Sequence, residues 1–184
     1  NLINVGILVR VHPMDHTDYS VFTYSDRIFI DYYGSEKAKS RETALDQWFP
    51  IGDNISHLKR TIVNASVCIN VASTISLEAS LCGKTVLNIA YFKTKNSYAD
   101  FGDPSRFYRY THYQPVIKNN LAKVISSEVQ LGDALIKVLN CKSSYNNQIS
   151  LRAKEFLGAN GKKSALLIAN KIVELVYSQR KSDE

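Results

Sequence analysis

The sequence predicts a mixed α/β fold in which parallel strands alternate with helices. Short β-branched runs recur along residues 3–125, and segments with apolar residues at helical spacing separate several of them. The runs are apolar throughout, which is typical of strands covered on both faces of a parallel sheet. With 184 residues, of which 45% are hydrophobic and 22% charged, the chain fits one ordinary globular domain.

The first strands lie near the N-terminus. Residues 3–11 (INVGILVRV) form a β-branched run that ends before Pro13, a residue that cannot donate to a sheet ladder. Residues 27–32 (RIFIDY) predict a second strand. The polar stretch 33–53 is expected to be a loop with one short helix over 44–48.

The centre of the chain predicts a β-α-β-α-β order. Asp53 is expected to cap the first of these helices and Ser73 the second, which Gly83 ends. The first helix follows Asp53 and has apolar residues at 55, 58, 62 and 63, and a strand is predicted over 67–71. The second helix has apolar residues at 75, 77 and 81, and a strand is predicted over 85–90.

Residues 93–113 form a long loop rich in aromatic and basic residues, and loops of this length are often functional. A last strand is predicted over 122–125. Three helices follow, over 128–139, 145–156 and 162–176. We expect one domain over residues 1–178 and a charged tail over 179–184.

Composition excludes several classes of function. The formal charge of +6 comes from scattered Lys and Arg without an arginine-rich run, so no nucleic-acid partner is expected. Cys68, Cys82 and Cys141 are odd in number and widely spaced, which favours buried thiols over disulfides or ligands. No metal-ligand spacing and no glycine-rich phosphate loop is present. We therefore expect no metal, and no classical kinase or dinucleotide site.

Ligands of open parallel sheets bind beyond the carboxyl ends of the strands. Ser73 and Thr74 follow the third strand and begin a helix, where hydroxyls, backbone amides and the helix dipole suit a diphosphate. Helix capping alone is the alternative role. Glu78 lies about one turn further on, and its carboxylate would accept hydrogen bonds from both hydroxyls of a ribose. The alternative is an ordinary solvated helix position.

Arg10 and His12 follow the first strand, at the edge where Ser73 is also expected. His12 would donate to a phosphate, although a His before Pro is often structural. Arg10 alternates with apolar neighbours, and an outward strand position is its alternative. Asp15 is a candidate helix cap and His16 a candidate surface residue.

These segments resemble a known family. RVHP at 10–13, the stretch 66–79 and the stretch 83–89 resemble the C-terminal domain of GT-B glycosyltransferases. The likeness is greatest to bacterial capsule and surface-polysaccharide transferases and to CDP-glycerol glycerophosphotransferases. The more specific motif, S-T-x-x-x-E-A, is intact at 73–79, whereas Lys84 stands where many relatives have Pro.

The resemblance covers residues 3–176 and implies a Rossmann-like three-layer α/β/α domain with C-terminal helices, one half of a GT-B fold. It implies that His12, Ser73 and Thr74 hold the donor phosphates, that Glu78 holds the ribose and that Arg10 assists. His112, in a segment similar to the family's HY segment, would lie near the donor or the acceptor. His12 and His112 are thus the expected catalytic residues.

The function implied is nucleotide-sugar donor binding in a metal-independent glycosyltransferase of surface-polysaccharide synthesis, with no cofactor besides the donor. The acceptor would be a glycan or a lipid-linked glycan, and the place of action the cytoplasm, including the inner face of the membrane. The missing N-terminal Rossmann-like half usually supplies the acceptor site and the base, so we expect the isolated domain to be inactive. Half of a UDP-sugar 2-epimerase-like enzyme and a non-catalytic carbohydrate- or partner-binding domain remain the alternatives.

Overall fold

The computed structural model describes residues 5–12, 15, 17–22, 25–32, 52–92, 103–141, 143–158, 166 and 169–174. The chain divides into two compact units, Asn1–Asn64 and Ala65–Glu184, called here the first and the second unit. Each contains helices and a parallel sheet, so the predicted α/β class with parallel strands is confirmed. The domain over 1–178 and the tail over 179–184 stay predictions.

The first unit contains two parallel strands, β1 (Ile7–Arg10) and β2 (Ile28–Asp31). A short 3₁₀ helix, Ser20–Phe22, lies between them in sequence, and helix α1 (Gly52–Asn64) follows. Asp53 therefore lies inside the first turn of α1 and not at the predicted cap, a position where its charge still favours the helix dipole. The helix predicted over 44–48 lies outside the described residues.

The second unit is built on three parallel strands in the order β3-β4-β5, with β4 at the centre. The strands are β3 (Val67–Asn70), β4 (Thr85–Ile89) and β5 (Lys123–Ile125). Helix α2 (Ile75–Leu81) connects β3 to β4. The connection from β4 to β5 contains a 3₁₀ helix, Pro104–Arg109, and helix α3 (Gln114–Lys118).

Two further helices follow β5 in the second unit, α4 (Glu128–Leu139) and α5 (Asn147–Phe156). Ser127 caps α4 and Asn146 caps α5 through side-chain oxygens that accept backbone amides. The buried centre of the core is formed by Leu87, Ile125 and Ala134, against which partly buried side chains of β3, β4 and α4 pack. Residues 166 and 169–174 are helical and fall inside the helix predicted over 162–176.

Helices α2 and α5 pack against each other. The Ser150 hydroxyl donates to the Leu81 carbonyl oxygen at 2.9 Å, and the Asn146 amide donates to the Gly83 carbonyl oxygen at 2.7 Å. Gly83 follows α2 with a φ of +68°, as the predicted helix stop requires. This contact fixes the turn between α2 and β4.

The three cysteines are free thiols. Cys68 and Cys82 are partly buried, but Cys141 is exposed, so the prediction of a buried thiol is wrong there. Cys141 lies two residues after Leu139, the last residue of α4. In the part of the chain that the structure describes, no helix combines the length and the apolar character needed to cross a bilayer.

Candidate functional site

A buried cluster of polar side chains supports the carboxyl edge of the β3-β4-β5 sheet. Asn70 and Asn88 occupy paired positions in the parallel register of β3 and β4. The Asn88 amide donates to Asn70 Oδ1 at 2.8 Å, and the Ser76 hydroxyl of α2 donates to the same oxygen at 3.1 Å. Asn88 and Ser76 are fully buried. These bonds tie the ends of two strands to the first turn of α2.

Tyr113, directly before α3, completes this cluster. Its hydroxyl donates to Asn88 Oδ1 at 2.8 Å and lies 2.9 Å from Ser76 Oγ. Burial raises the pKa of the Tyr113 hydroxyl, so the residue stays protonated and donates. We call Asn70, Ser76, Asn88 and Tyr113 the Asn70 network. A buried network whose members all have partners holds its surroundings in one arrangement.

The loop between β3 and α2 rests on the Asn70 network. The Ser73 amide donates to Asn70 Oδ1 and the Ile75 amide donates to Ser73 Oγ, both at a long 3.4 Å. Thr74 occupies the N-cap position of α2 and its side chain makes no capping bond, whereas Ser73, the predicted cap, accepts the Ile75 amide at this helix start. Ala72 has a φ of +34°, in the left-handed region that non-glycine residues seldom adopt. The loop therefore turns sharply and leaves the Thr74 side chain exposed.

Glu78 follows one turn along α2, where its amide reaches the Thr74 carbonyl oxygen at 3.4 Å. Its side chain is exposed, yet the neighbouring protein desolvates the carboxylate enough to raise its pKa. Among the described residues, no hydrogen bond or ion pair reaches this carboxylate. Glu78 thus lies in the first turn of the helix that Ser73 and Thr74 precede, and their binding of one ligand stays a prediction.

The 3₁₀ helix Pro104–Arg109 is held at the same edge of the sheet. The Tyr108 hydroxyl donates to the Ile89 carbonyl oxygen at 2.7 Å, and burial raises its pKa to about 12. The Arg106 guanidinium lies over the Phe107 ring, 4.8 Å from the ring centroid. Arg106 Nε is the one buried side-chain nitrogen or oxygen without a hydrogen-bond partner in the described ranges.

His112 lies in the exposed turn before α3. Its ring is 5.6 Å from the Tyr110 ring, between centroids. The next residue, Tyr113, belongs to the Asn70 network, so this turn is anchored beside the same strands. His112 is therefore accessible to a ligand, as its predicted role requires.

Arg10 and His12 belong to the first unit. Arg10 Nη1 pairs with Asp31 Oδ2 at 2.9 Å, and His57 Nε2 lies 3.0 Å from the same oxygen. His12 is exposed, and its carbonyl oxygen accepts the Asp15 amide at 2.8 Å. Arg10 thus has a structural partner. That Arg10 and His12 meet the same ligand as Ser73 stays a prediction.

Asp15 is engaged in a local turn. Its carboxylate accepts the Thr17 hydroxyl at 2.6 Å and the Tyr19 hydroxyl at 2.6 Å. These bonds, that of Thr17 first, lower the pKa of the Asp15 carboxyl. Asp15 therefore closes a turn ahead of the 3₁₀ helix Ser20–Phe22, and His16 lies outside the described residues.

No cluster of three or more His, Cys, Asp or Glu side chains suited to a metal ion occurs among the residues described. No protein-family model, curated protein or solved structure matches the chain. The properties of the site therefore follow from its own geometry.

The sequence interpretation included Arg106, Tyr108 and Tyr113 only as members of the long aromatic loop, and it missed Asn70, Ser76 and Asn88 as parts of this site. One pattern would have found two of them. Asn70 and Asn88 are each the fourth residue of a strand in an otherwise apolar run, so they align when the two strands pair in parallel. A polar side chain at the same level of two buried strands indicates a pair that needs hydrogen-bond partners.

Proposed function

We propose that the second unit binds the diphosphate and ribose of a nucleotide-activated sugar, as the Rossmann-like donor half of a metal-independent GT-B glycosyltransferase in surface-glycan synthesis. One observation carries this proposal. The loop with Ser73 and Thr74 rests on the buried Asn70 network at the carboxyl edge of a parallel sheet. One turn further on is the Glu78 carboxylate, which has no hydrogen-bond or ion-pair partner among the described residues. This is the edge where α/β sheets bind ligands.

The groups at this edge match the chemistry of the donor. The Ser73 and Thr74 hydroxyls offer hydrogen bonds to phosphate oxygens, and Glu78 offers acceptors to the two hydroxyls of a ribose. Arg106 adds a guanidinium whose Nε has no acceptor among the described residues. Arginine is the residue that best matches phosphate oxygens.

In the proposed reaction an acceptor hydroxyl, on a glycan or a lipid-linked glycan, attacks the activated carbon or phosphorus of the donor. The bond to the departing nucleotide phosphate breaks, and donors fixed in the site stabilise the charge that develops there. The acceptor proton passes to a base that we expect on the other half of the enzyme. We propose that the donor phosphates are also contacted by Arg10, His12 and His112. The nucleotide-sugar donor would come from the cytoplasm.

The test is a thermal-shift panel of CMP, CDP, UDP, GDP and ADP on the whole chain and on Ser73→Ala/Glu78→Ala. Saturation at about 100 times Kd stabilises the folded state by about 2.7 kcal/mol. We expect one nucleotide to raise Tm in the parent and not in the double variant. The matched control is Ser66→Ala/Glu155→Ala, which changes the same residue types at exposed positions and should keep the shift.

An equal Tm shift in the parent and in Ser73→Ala/Glu78→Ala would place the nucleotide elsewhere and contradict the proposal. If none of the nucleotides shifts Tm, the proposal is contradicted as well. Stabilisation by free sugars alone would favour a non-catalytic carbohydrate-binding domain. The epimerase-like alternative would be favoured if the chain, together with its other half, converted a UDP-sugar into its 2-epimer. NMR of the sugar measures this conversion.

A further inference from the structure

A cavity of about 480 Å³ lies in the second unit near the amino-terminal ends of β4 and β5, at the other end of these strands from Ser73. Thr85 and Lys123, the first residues of the two strands, line it. Helix α4 contributes Lys137, and the segment leading into α5 contributes Ser144 and Asn146. Its volume lies within the range of about 300–1,000 Å³ that is usual for small-molecule sites.

Among the described residues, the charged side chains that line this cavity are all positive. Lys123 and Lys137 line it, and no Asp or Glu is among the described residues that do. Behind them Lys84, only 4% exposed, donates from Nζ to Oγ of Ser144, one of the lining residues, at 3.1 Å. In the described ranges no carboxylate pairs with Lys84. A buried ammonium is costly unless an opposite charge compensates it, so the cavity favours an anion.

Two further features define the shape of that anion. The first turn of α5, with its positive dipole end, borders the cavity through Asn147 and Gln148. The side chains of Leu87 and Val138 give the cavity an apolar part, and Tyr145 adds an aromatic ring. A ligand with one charged end and an uncharged ring or chain uses both surfaces.

We propose that this cavity binds a small phosphorylated molecule, with its phosphate between Lys123 and Lys137, in front of the buried Lys84, and its uncharged part against Leu87 and Val138. Lysines act as mobile point charges toward phosphate, and the Ser144 hydroxyl adds a neutral donor. The site is separate from the nucleotide edge and does not depend on the function proposed there.

Isothermal titration with inorganic phosphate, glucose 6-phosphate and glucose, at constant ionic strength, tests the proposal on the whole chain. We expect both phosphates to bind, glucose 6-phosphate more tightly because it also covers the apolar part, and glucose not to bind. Lys123→Gln/Lys137→Gln should weaken glucose 6-phosphate binding at least tenfold. Lys118→Gln/Lys154→Gln removes the same charge from exposed positions outside the cavity and should leave the affinity within twofold.

Two further variants separate this site from its alternatives. Ser73→Ala/Glu78→Ala should bind glucose 6-phosphate as the parent does, and loss of binding in that variant would put the phosphate at the nucleotide edge and overturn the proposal. Lys84→Met should weaken glucose 6-phosphate binding, since the positive charge behind Ser144 is lost, and should keep or raise Tm without ligand, since a charge without a counter-charge is removed. Unchanged affinity in Lys123→Gln/Lys137→Gln, or an equal loss in Lys118→Gln/Lys154→Gln, would also overturn it.

Discussion

Two glycines of the second unit differ in what a methyl group would meet. A Cβ at Gly83 would lie 2.5 Å from the Tyr145 ring, and the residue has a φ of +68°. Gly83→Ala should therefore lower the free energy of unfolding by about 1–2 kcal/mol from the left-handed backbone alone, and further through the contact with Tyr145. Urea unfolding followed by circular dichroism measures the change.

Gly132, inside α4, is the matched control because a Cβ there meets no atom within 4 Å. Gly132→Ala should raise the free energy of unfolding by about 0.5–1 kcal/mol, since alanine loses less backbone freedom in a helix. Equal stability of Gly83→Ala and the parent would show that the turn between α2 and β4 adapts, contrary to the geometry.

Glu78 links stability to pH at the nucleotide edge. Desolvation raises the pKa of its carboxyl above 4.5, so the ionised form is disfavoured in the folded state. The resulting loss of stability is complete at pH values above the pKa of the folded state. It disappears as the pH falls through that pKa toward the pKa of the unfolded state. Glu78→Gln should therefore raise Tm at pH 7 relative to the parent, and the difference should shrink near pH 4.

The same substitution should weaken nucleotide binding, because an amide offers the ribose only one acceptor oxygen. Glu155→Gln, at an exposed position of α5, serves as the control for loss of one negative charge. If Glu78→Gln is less stable than the parent at pH 7, the carboxylate has a stabilising partner in the folded chain. That result would argue against a ligand-binding role for Glu78.

At the scale of elements, the Asn70 network decides how firmly α2 and α3 are held to the sheet. Tyr113→Phe removes the hydroxyl that donates to Asn88 and leaves the buried Asn88 Oδ1 without that donor. An unsatisfied buried polar group costs about 1–3 kcal/mol, so the free energy of unfolding should fall by that amount. Tyr110→Phe, at an exposed position of the same turn, should change it by less than about 0.5 kcal/mol.

Both values come from denaturant unfolding of the two variants and the parent. A loss in Tyr113→Phe no larger than that in Tyr110→Phe would mean that the network is not satisfied as the distances indicate. Because the network lies under Ser73, Tyr113→Phe should also weaken nucleotide binding without any direct contact to the ligand.

The sequence predicted the start of β3 and β4 correctly and their ends one residue too late. Val71 is apolar, which extends the predicted run, but the chain leaves the ladder after Asn70 and turns at Ala72 with its φ of +34°. Hydrophobic pattern marks where a strand is buried and contains no information on this turn. Helix α4 matches its prediction at both ends, because Ser127 marks its start in the sequence.

The elements between β4 and β5 depend on distant contacts, and no prediction of them follows from the residues alone. The 3₁₀ helix Pro104–Arg109 falls in the predicted loop, and Tyr108 fixes it through a bond to Ile89, 19 residues earlier. Helix α3 has only five residues and too few apolar positions for a periodic pattern. Pro115 near its start is typical of a first helical turn.

At the scale of the whole molecule, local pattern predicts the order of strands but not their pairing. β1 pairs with β2, and β4 pairs with both β3 and β5, in two parallel sheets that belong to different units. Arg10 shows the consequence. Its role at the donor follows from its place at the end of the first strand and from the family resemblance, and it stays a prediction. The pairing of β1 with β2 places Arg10 opposite Asp31, which binds it.

The two units differ in their buried cores, and this predicts unequal local stability. Among the described residues, the buried hydrophobic side chains of the first unit are Val11 and Ile62, whereas those of the second surround β4 and include Val86, Leu87 and Ile125. Local opening is easiest where few apolar side chains are buried. Backbone amides of β4 should therefore exchange with deuterium at the slowest rates, and those of β1 and β2 faster by at least tenfold.

Native-state hydrogen exchange on the whole chain, read by mass spectrometry at several urea concentrations, measures this difference. The exchange of β4 should slow further with the nucleotide that raises Tm, because Asn88 of β4 belongs to the network under the binding loop. The exchange of β1 is the internal comparison, and it should slow with the same nucleotide only if Arg10 or His12 takes part in binding. Equal protection of β1 and β4 without ligand would contradict the prediction, since it would mean that both units open in a single step.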